Sequence, residues 1–141
     1  MSDLSDLRIR QLIEARLIAW ASTQDAALLV EVENVTFDPP SAMYLRGFNL
    51  PATQTGEFLE GGHTAYTGVY QVSICAPKGQ GAGPAGLIAG ALRALFPQTL
   101  RIVGDDGFVV TVTSPLRVPA GISDDTRYVI PTSFTYRSDV T

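Results

Sequence analysis

Apolar residues return every three to four positions through LSDLRIRQLIEARLIAWAS (4–22), with Ile9, Leu12, Ile13, Leu17 and Trp20 on one side. Arg8, Arg10, Gln11 and Glu14 fill the other, which predicts an amphipathic helix over 4–22. Asp3 and Asp6 stand in its first turn, where the helix dipole favours negative charge, and Ser2 or Ser5 can cap it. The period then drops to two. LLVEVENV (28–35) sets Val30, Val32 and Asn34 against Glu31 and Glu33, and FDPPS (37–41) breaks the chain. MYLRGFNLP (43–51) places Tyr44, Arg46 and Phe48 on one face, with Leu45 and Leu50 less regularly on the other. TGVYQVSICA (67–76) alternates Val69, Gln71, Ser73 and Cys75 with Tyr70, Val72, Ile74 and Ala76. These three runs read as strands. The polar, glycine-bearing segment 52–66 between the last two reads as an extended hairpin tip or a mobile loop.

A second helical stripe runs through GLIAGALRALF (86–96), with Leu87, Ile88, Ala91, Leu92, Leu95 and Phe96 apolar. Pro84 stands near its first position, where a missing N–H costs nothing, and Pro97 stops it. LRIV (100–103) and FVVTVTS (108–114) flank GDDG, whose Asp106-Gly107 pair signals a hairpin, and RYVIPTSFTYR (127–137) forms a last strand after GISDD (121–125). The order is α-β-β-β-α-β-β-β. Hairpin-connected strands with two helices predict an α+β fold, a mostly antiparallel sheet packed by two helices, in a single domain over 1–141.

One stretch invites a specific chemistry. GAGPAG (81–86) is a literal G-x-G-x-x-G, between a strand-like and a helix-like run. A dinucleotide site also needs a parallel βαβ unit with further crossovers. Here the preceding strand alternates polar and apolar residues, as in a half-exposed antiparallel sheet, and Pro84 removes one amide that would face a phosphate. The glycines are therefore read as a flexible connection into a proline-started helix. The nucleotide-binding reading stands as the alternative.

Charge and cysteine content narrow the classes further. The 141 residues carry 10 Lys and Arg against 14 Asp and Glu, a net charge of −4, which opposes phosphate-backbone binding. No nucleic-acid recognition is expected. The one cysteine, Cys75, rules out an intrachain disulfide and reads as a small buried hydrophobe. His63 is the only histidine and leaves a triad or a histidine metal cluster without a second member. The pairs Asp105-Asp106 and Asp124-Asp125 suit acid/base or cation chemistry, yet both lie in turn sequences that favour Asp for local backbone bonding. The start of the chain has acids where a signal peptide has basic charge, and no apolar run approaches a membrane span. The expectation is a soluble non-enzyme with no catalytic residue, no cofactor, no metal and no membrane partner. Its tyrosines then read either as interface anchors or as ordinary strand residues.

The longer segments carry a family resemblance. YLRGFNLPATQT (44–55), GVYQVSICAPKGQGAG (68–83), ALFP (94–97) and VTSPLRVPAGISDDTRYVIPTSFTYRSDV (112–140) together cover most of the chain. In this pattern of strands, corners and lengths it resembles the tail terminator-like proteins of long-tailed bacteriophages and prophages. That resemblance implies a structural protein of the virion tail, assembled in the host cytoplasm. It would cap the end of the tail tube, stop tube polymerisation and provide the joint to the head–neck connector. It also implies self-association as a hexameric ring in the particle, with the isolated chain expected to be monomeric because its last strand is polar (Thr132, Ser133, Thr135). The tail tube protein and the connector are the implied partners. Another neck or head-completion component is the alternative in the same particle. Tyr44, Arg46, Tyr70, Tyr136 and Arg137, with segment 52–66, are the interface candidates.

Overall fold

The hydrophobic stripe at i, i+4 spacing forms as read. In the computed structural model, which describes residues 5–24, 28–33, 35, 37–56, 64–105, 107–124 and 126–140, Ile9, Ile13, Leu17 and Ala21 are buried along helix α1 (Ser5–Ser22). Asp6 occupies its first turn; Ser2 and Asp3 lie outside the described residues. Trp20 and Leu12, placed on the apolar side by the sequence, pack at the margin of the core and are only partly buried.

Strands β1 (Val30–Val32), β2 (Tyr44–Gly56) and β3 (Thr64–Pro77) follow, then helix α2 (Gly83–Leu95). Strands β4 (Arg101–Val103), β5 (Val109–Val112), β6 (Ile122–Ser123) and β7 (Arg127–Val140) complete the order. All seven strands belong to one sheet in the order β1-β2-β3-β7-β5-β4, with β6 pairing β7. The α+β class holds, and two details of the expected fold are corrected. The two-residue β6 is an added strand, giving α-β-β-β-α-β-β-β-β. The sheet is also mixed, because β1 runs parallel to β2, with Val30 opposite Leu45 and Val32 opposite Gly47. The reason lies in the connection at 33–43. Its Pro39-Pro40 pair blocks a tight hairpin, and a chain given that length can cross over and return in the same direction.

Both arms of the β2–β3 hairpin run well into segment 52–66, the first of its two readings, an extended hairpin. Gln54 is opposite Tyr66 and Gly56 opposite Thr64, with a bulge between Pro51 and Thr53. The tip itself, 57–63, lies outside the described residues.

One face of the sheet carries both helices. Leu45, Tyr70, Val72, Ile74, Val110, Val112, Ile130, Phe134 and Tyr136 point into that core. Phe96, just past α2, stacks on Phe134 with ring centroids 4.8 Å apart, and Arg16 on α1 donates to the Leu95 carbonyl at 3.0 Å. Helix α2 starts three residues before the expected position, with Pro84 in its first turn. Its buried stripe is Ala85, Ala89 and Leu92, while Leu87 is 78% exposed, which reverses the phase expected for that residue. Small alanines let the helix approach the sheet closely and turn Leu87 outward. No helix of the described residues is long and apolar enough to cross a membrane.

Candidate interaction surface

The glycine corner has a conformational explanation. Gly79 and Gly81 hold φ values of +91° and +76°, where a β-carbon is strained, and the chain between β3 and α2 turns through them. Strand β3 pairs antiparallel with both β2 and β7, so the corner does not belong to a parallel βαβ crossover. A β-carbon added at Gly79, Gly81, Gly83 or Gly86 meets nothing within 4 Å, so the corner lies in open space.

The acidic turns behave as local structure. In the β4–β5 hairpin the Gly107 amide donates to the Gly104 carbonyl at 3.0 Å, and the Gly104 amide donates to Phe108 at 2.7 Å. Asp105 is exposed at this turn. One carboxylate oxygen of Asp124 accepts from the amides of Thr126 (2.9 Å) and Arg127 (2.7 Å). Those two bonds hold its carboxyl below the ordinary aspartate value. Asp106, Asp125 and His63 lie outside the described residues. Among the described residues no group of three or more His, Cys, Asp or Glu is placed to hold a metal ion. Cys75 is buried, and burial pushes its thiol up from the usual range.

The five interface candidates separate sharply. Tyr70 and Tyr136 are 0% and 1% exposed and belong to the helix-covered core. Their side chains fill space that glycines leave in neighbouring strands. The Tyr70 ring lies over Gly47, and Tyr136 lies directly opposite Gly68, its hydroxyl donating to Asn49 Oδ1 at 2.6 Å. Both are anchors of the fold and are withdrawn from the surface. Tyr44 is also buried, on the opposite face, between the Phe37 ring (centroids 5.2 Å apart) and the Arg127 guanidinium 5.1 Å from its centroid. Arg127 donates to the Ala42 and Pro40 carbonyls and so straps the 37–42 segment over this end of the sheet.

Arg46 and Arg137 remain at the surface. Arg46 Nε donates to Glu31 Oε1 at 3.0 Å across the β1–β2 pair. Arg137 makes a two-nitrogen contact with the Asp139 carboxylate, at 2.8 Å from Nη2. Around Arg137 the helix-free face opens into a shallow hollow of about 350 Å³, lined by Ala52, Thr67, Val69, Thr113 and Thr135. The last strand is less exposed than its polar sequence implies. Thr132 is fully buried and donates to the Val72 carbonyl at 2.6 Å, and Ser138 is buried with its hydroxyl on Val109 O at 2.7 Å.

Among the exposed apolar side chains, sequence reasoning missed a group beside β1: Leu29 (52% exposed), Val35 (59%) and Leu50 (46%). A hollow of about 310 Å³ lies here, between Glu31, Glu33, Val35, Arg46 and Leu50. The sequence signal was the acidic–apolar alternation of 28–35, but edge position depends on pairing across the sheet.

No curated protein matches the chain. A solved structure is 34% identical, covers 96% of this chain and 96% of its own, and superposes with a TM-score of 0.82. The family model described as phage tail terminator protein matches residues 8–136. That match spans α1 through most of β7, and the chain belongs to the phage tail terminator family.

Proposed function

We propose that this protein caps the end of the tail tube, stops addition of further tube subunits and forms the joint to the head–neck connector. The observation that carries this reading is the family match over 8–136. A phage-tail structural role follows from family membership; the capping, length-setting and joining steps are the proposal. Ring formation is its second element. A cap that covers the whole end of a tube is best made by a ring of copies, each using one surface to contact the next. The 141 residues act as one domain in this reading, and the isolated chain is a monomer whose ring forms on the tube end. Arg46 and Arg137, both exposed on the helix-free side, are the retained contact residues.

The reading assigns no catalysis. Binding and shape complementarity suffice to stop polymerisation, because a capped end offers the next tube subunit no surface to pair with. The experiment is a lysate of phage or prophage lacking this protein, viewed by electron microscopy. Overlong tails that fail to join heads support the proposal, and tails of fixed length that fail to join heads would leave the joint and overturn the stop to polymerisation. Normal tails joined to heads overturn the proposal as a whole.

A further inference from the structure

The sheet ends in β1 on one side and β4 on the other, and the backbone phases of these two edges fit each other. The Leu29 carbonyl accepts the Leu45 amide at 2.9 Å, and Leu45 is the partner of Val30. In a parallel ladder this means that odd-numbered residues of β1 turn their backbone groups toward β2. Val30 and Val32 therefore point theirs away from the sheet. On the other side the Val112 amide donates to Leu100 at 2.8 Å and the Gly104 amide to Phe108 at 2.7 Å, with Ile102 opposite Val110 between them. Even-numbered residues face β5, so Arg101 and Val103 point their backbone groups outward.

Side-chain phase selects how such edges can meet. Val30 and Val32 share the helix-covered face with their partners Leu45 and Gly47, and Glu31 shares the other face with Arg46. On β4, Ile102 is buried on the helix-covered face, while Arg101 and Val103 are exposed opposite it. A parallel ladder sets a residue with outward groups against one whose groups turn away. Val32 then meets Ile102, Glu31 meets Arg101, and every side chain keeps its face. An antiparallel ladder would set Val32 against Arg101 or Val103 and join the helix-covered face of one copy to the bare face of the next. The strand directions agree with the parallel arrangement. Counting the pairings from β2 through β3, β7 and β5, strands β1 and β4 run the same way.

We propose that β4 of one copy of this chain pairs in parallel with β1 of a second copy, Arg101 beside Glu31 and Ile102 beside Val32. The charges are opposite across this contact, with Glu31 and Glu33 at one edge and Arg101 at the other. Exposed apolar side chains stand at both edges, Leu29 and Val35 by β1 and Val103, 58% exposed, on β4. Each copy offers one edge and receives the other, a heterologous contact that closes into a ring when the rotation between copies allows. This deepens the ring reading and rests on it. Edges of three residues each give few hydrogen bonds, which keeps free copies apart until the tube end gathers them.

The test uses cysteines placed at Glu31→Cys and Arg101→Cys in a Cys75→Ala background. Adjacent strands lie about 4.8 Å apart, inside the Cα range of a disulfide. In tails assembled with the double variant, mild oxidation should give a ladder of covalent multimers. Either single variant alone should give none, and the two singles mixed should stop at dimers. A dimer from one single variant would mean an edge meeting itself and would overturn the proposal, as would an uncrosslinked double variant in finished tails. Thermal melting of each variant checks that it folds. Independently, Arg101→Glu should lower the yield of finished tails at least tenfold; no loss counts against the contact. The tail role and the edge contact fail separately. Tails that need the protein but never crosslink keep the first and lose the second, and a ladder from a protein that tails can spare does the reverse.

Discussion

Gly68 is where the fold has least room. It lies opposite Tyr136 in the β3–β7 ladder. An alanine β-carbon there would overlap the Tyr136 hydroxyl, fall 2.7 Å from Tyr136 Cζ and 2.8 Å from the Leu50 carbonyl oxygen. The ring cannot swing aside freely, since it is 1% exposed and its hydroxyl is held by Asn49 at 2.6 Å. Overpacking of this kind costs about 1–3 kcal/mol. Displacing the hydroxyl from Asn49 adds about 1 kcal/mol. Gly68→Ala should therefore lose about 2–4 kcal/mol in urea unfolding, with a fall in Tm of about 4 °C per kcal/mol for a chain of this size. Tyr136→Phe supplies the control. It lowers stability by itself, but in its background Gly68→Ala should cost about 1 kcal/mol less, because the tightest clash is with the hydroxyl. A loss under about 0.5 kcal/mol for Gly68→Ala, or strict additivity of the two changes, would refute the close-approach argument.

Leu92→Ala should cost about 2–5 kcal/mol because Leu92 is 0% exposed, whereas Leu87→Ala should stay within about 0.5 kcal/mol; equal losses in urea titrations would mean that the α2 phase is wrong. Gly81→Ala should destabilise by about 1 kcal/mol through its φ of +76°, while Gly83→Ala, inside the first turn of α2, should leave Tm unchanged or slightly raised. Glu14 gives a pH signature. Burial, then the nearby Glu33, raises its carboxyl above the ordinary value of 4.5 against the pull of Arg10. A raised folded pKa means that folding favours the protonated form, so this contribution is full below the ordinary carboxylate pKa and lost as pH rises through the folded one. Glu14→Gln should accordingly be more stable than the parent at pH 7, with the gap closing as pH falls toward 4.5; a gap that widens on acidification sinks the assignment.

The helix α1 was legible because one face meets the sheet and the other meets water, which writes a 3.6-residue period into the chain. Leu87 was misplaced because sequence reading weights large apolar residues, whereas α2 approaches the sheet through Ala85 and Ala89. Thr132 misled in the opposite sense. Its hydroxyl bonds a main-chain carbonyl, so it is polar in sequence and buried in structure, as is Ser138. The tyrosines show the limit most clearly. An aromatic in a strand fits a pleated surface on either face, and only the glycines across the ladder from Tyr70 and Tyr136 decide that both turn inward. The turn at the glycines into a proline-started helix was legible because positive φ at Gly79 and Gly81 and a proline in the first turn are local demands. The edges β1 and β4 were not visible, since an edge is defined by strands far away in sequence.

That division bears on where assembly contacts can lie. Both helices occupy one face, and the 37–42 segment strapped by Arg127 covers one end of the other. What is left of that second face is a mixed surface. Thr113 and Thr135 bond each other at 2.7 Å, Arg137 bonds Asp139, and Leu50 stays 46% exposed. Its polar groups are already partnered, so it suits a wet contact of moderate strength better than an obligate one. Parallel pairing of β1 with β4 would turn the same face of every copy to the same side. The hollows around Arg137 would then form a continuous band, and the helices a second band on the reverse. One band would meet one class of neighbour all around the ring, which is how a single small chain can present two chemically different surfaces to two different partners. Exchanging Arg137 for Glu should therefore impair contact with one partner in every copy while leaving the edge-to-edge crosslink of Glu31→Cys/Arg101→Cys intact. Loss of that crosslink on exchange of Arg137 would show that the open face and the edges are one interface.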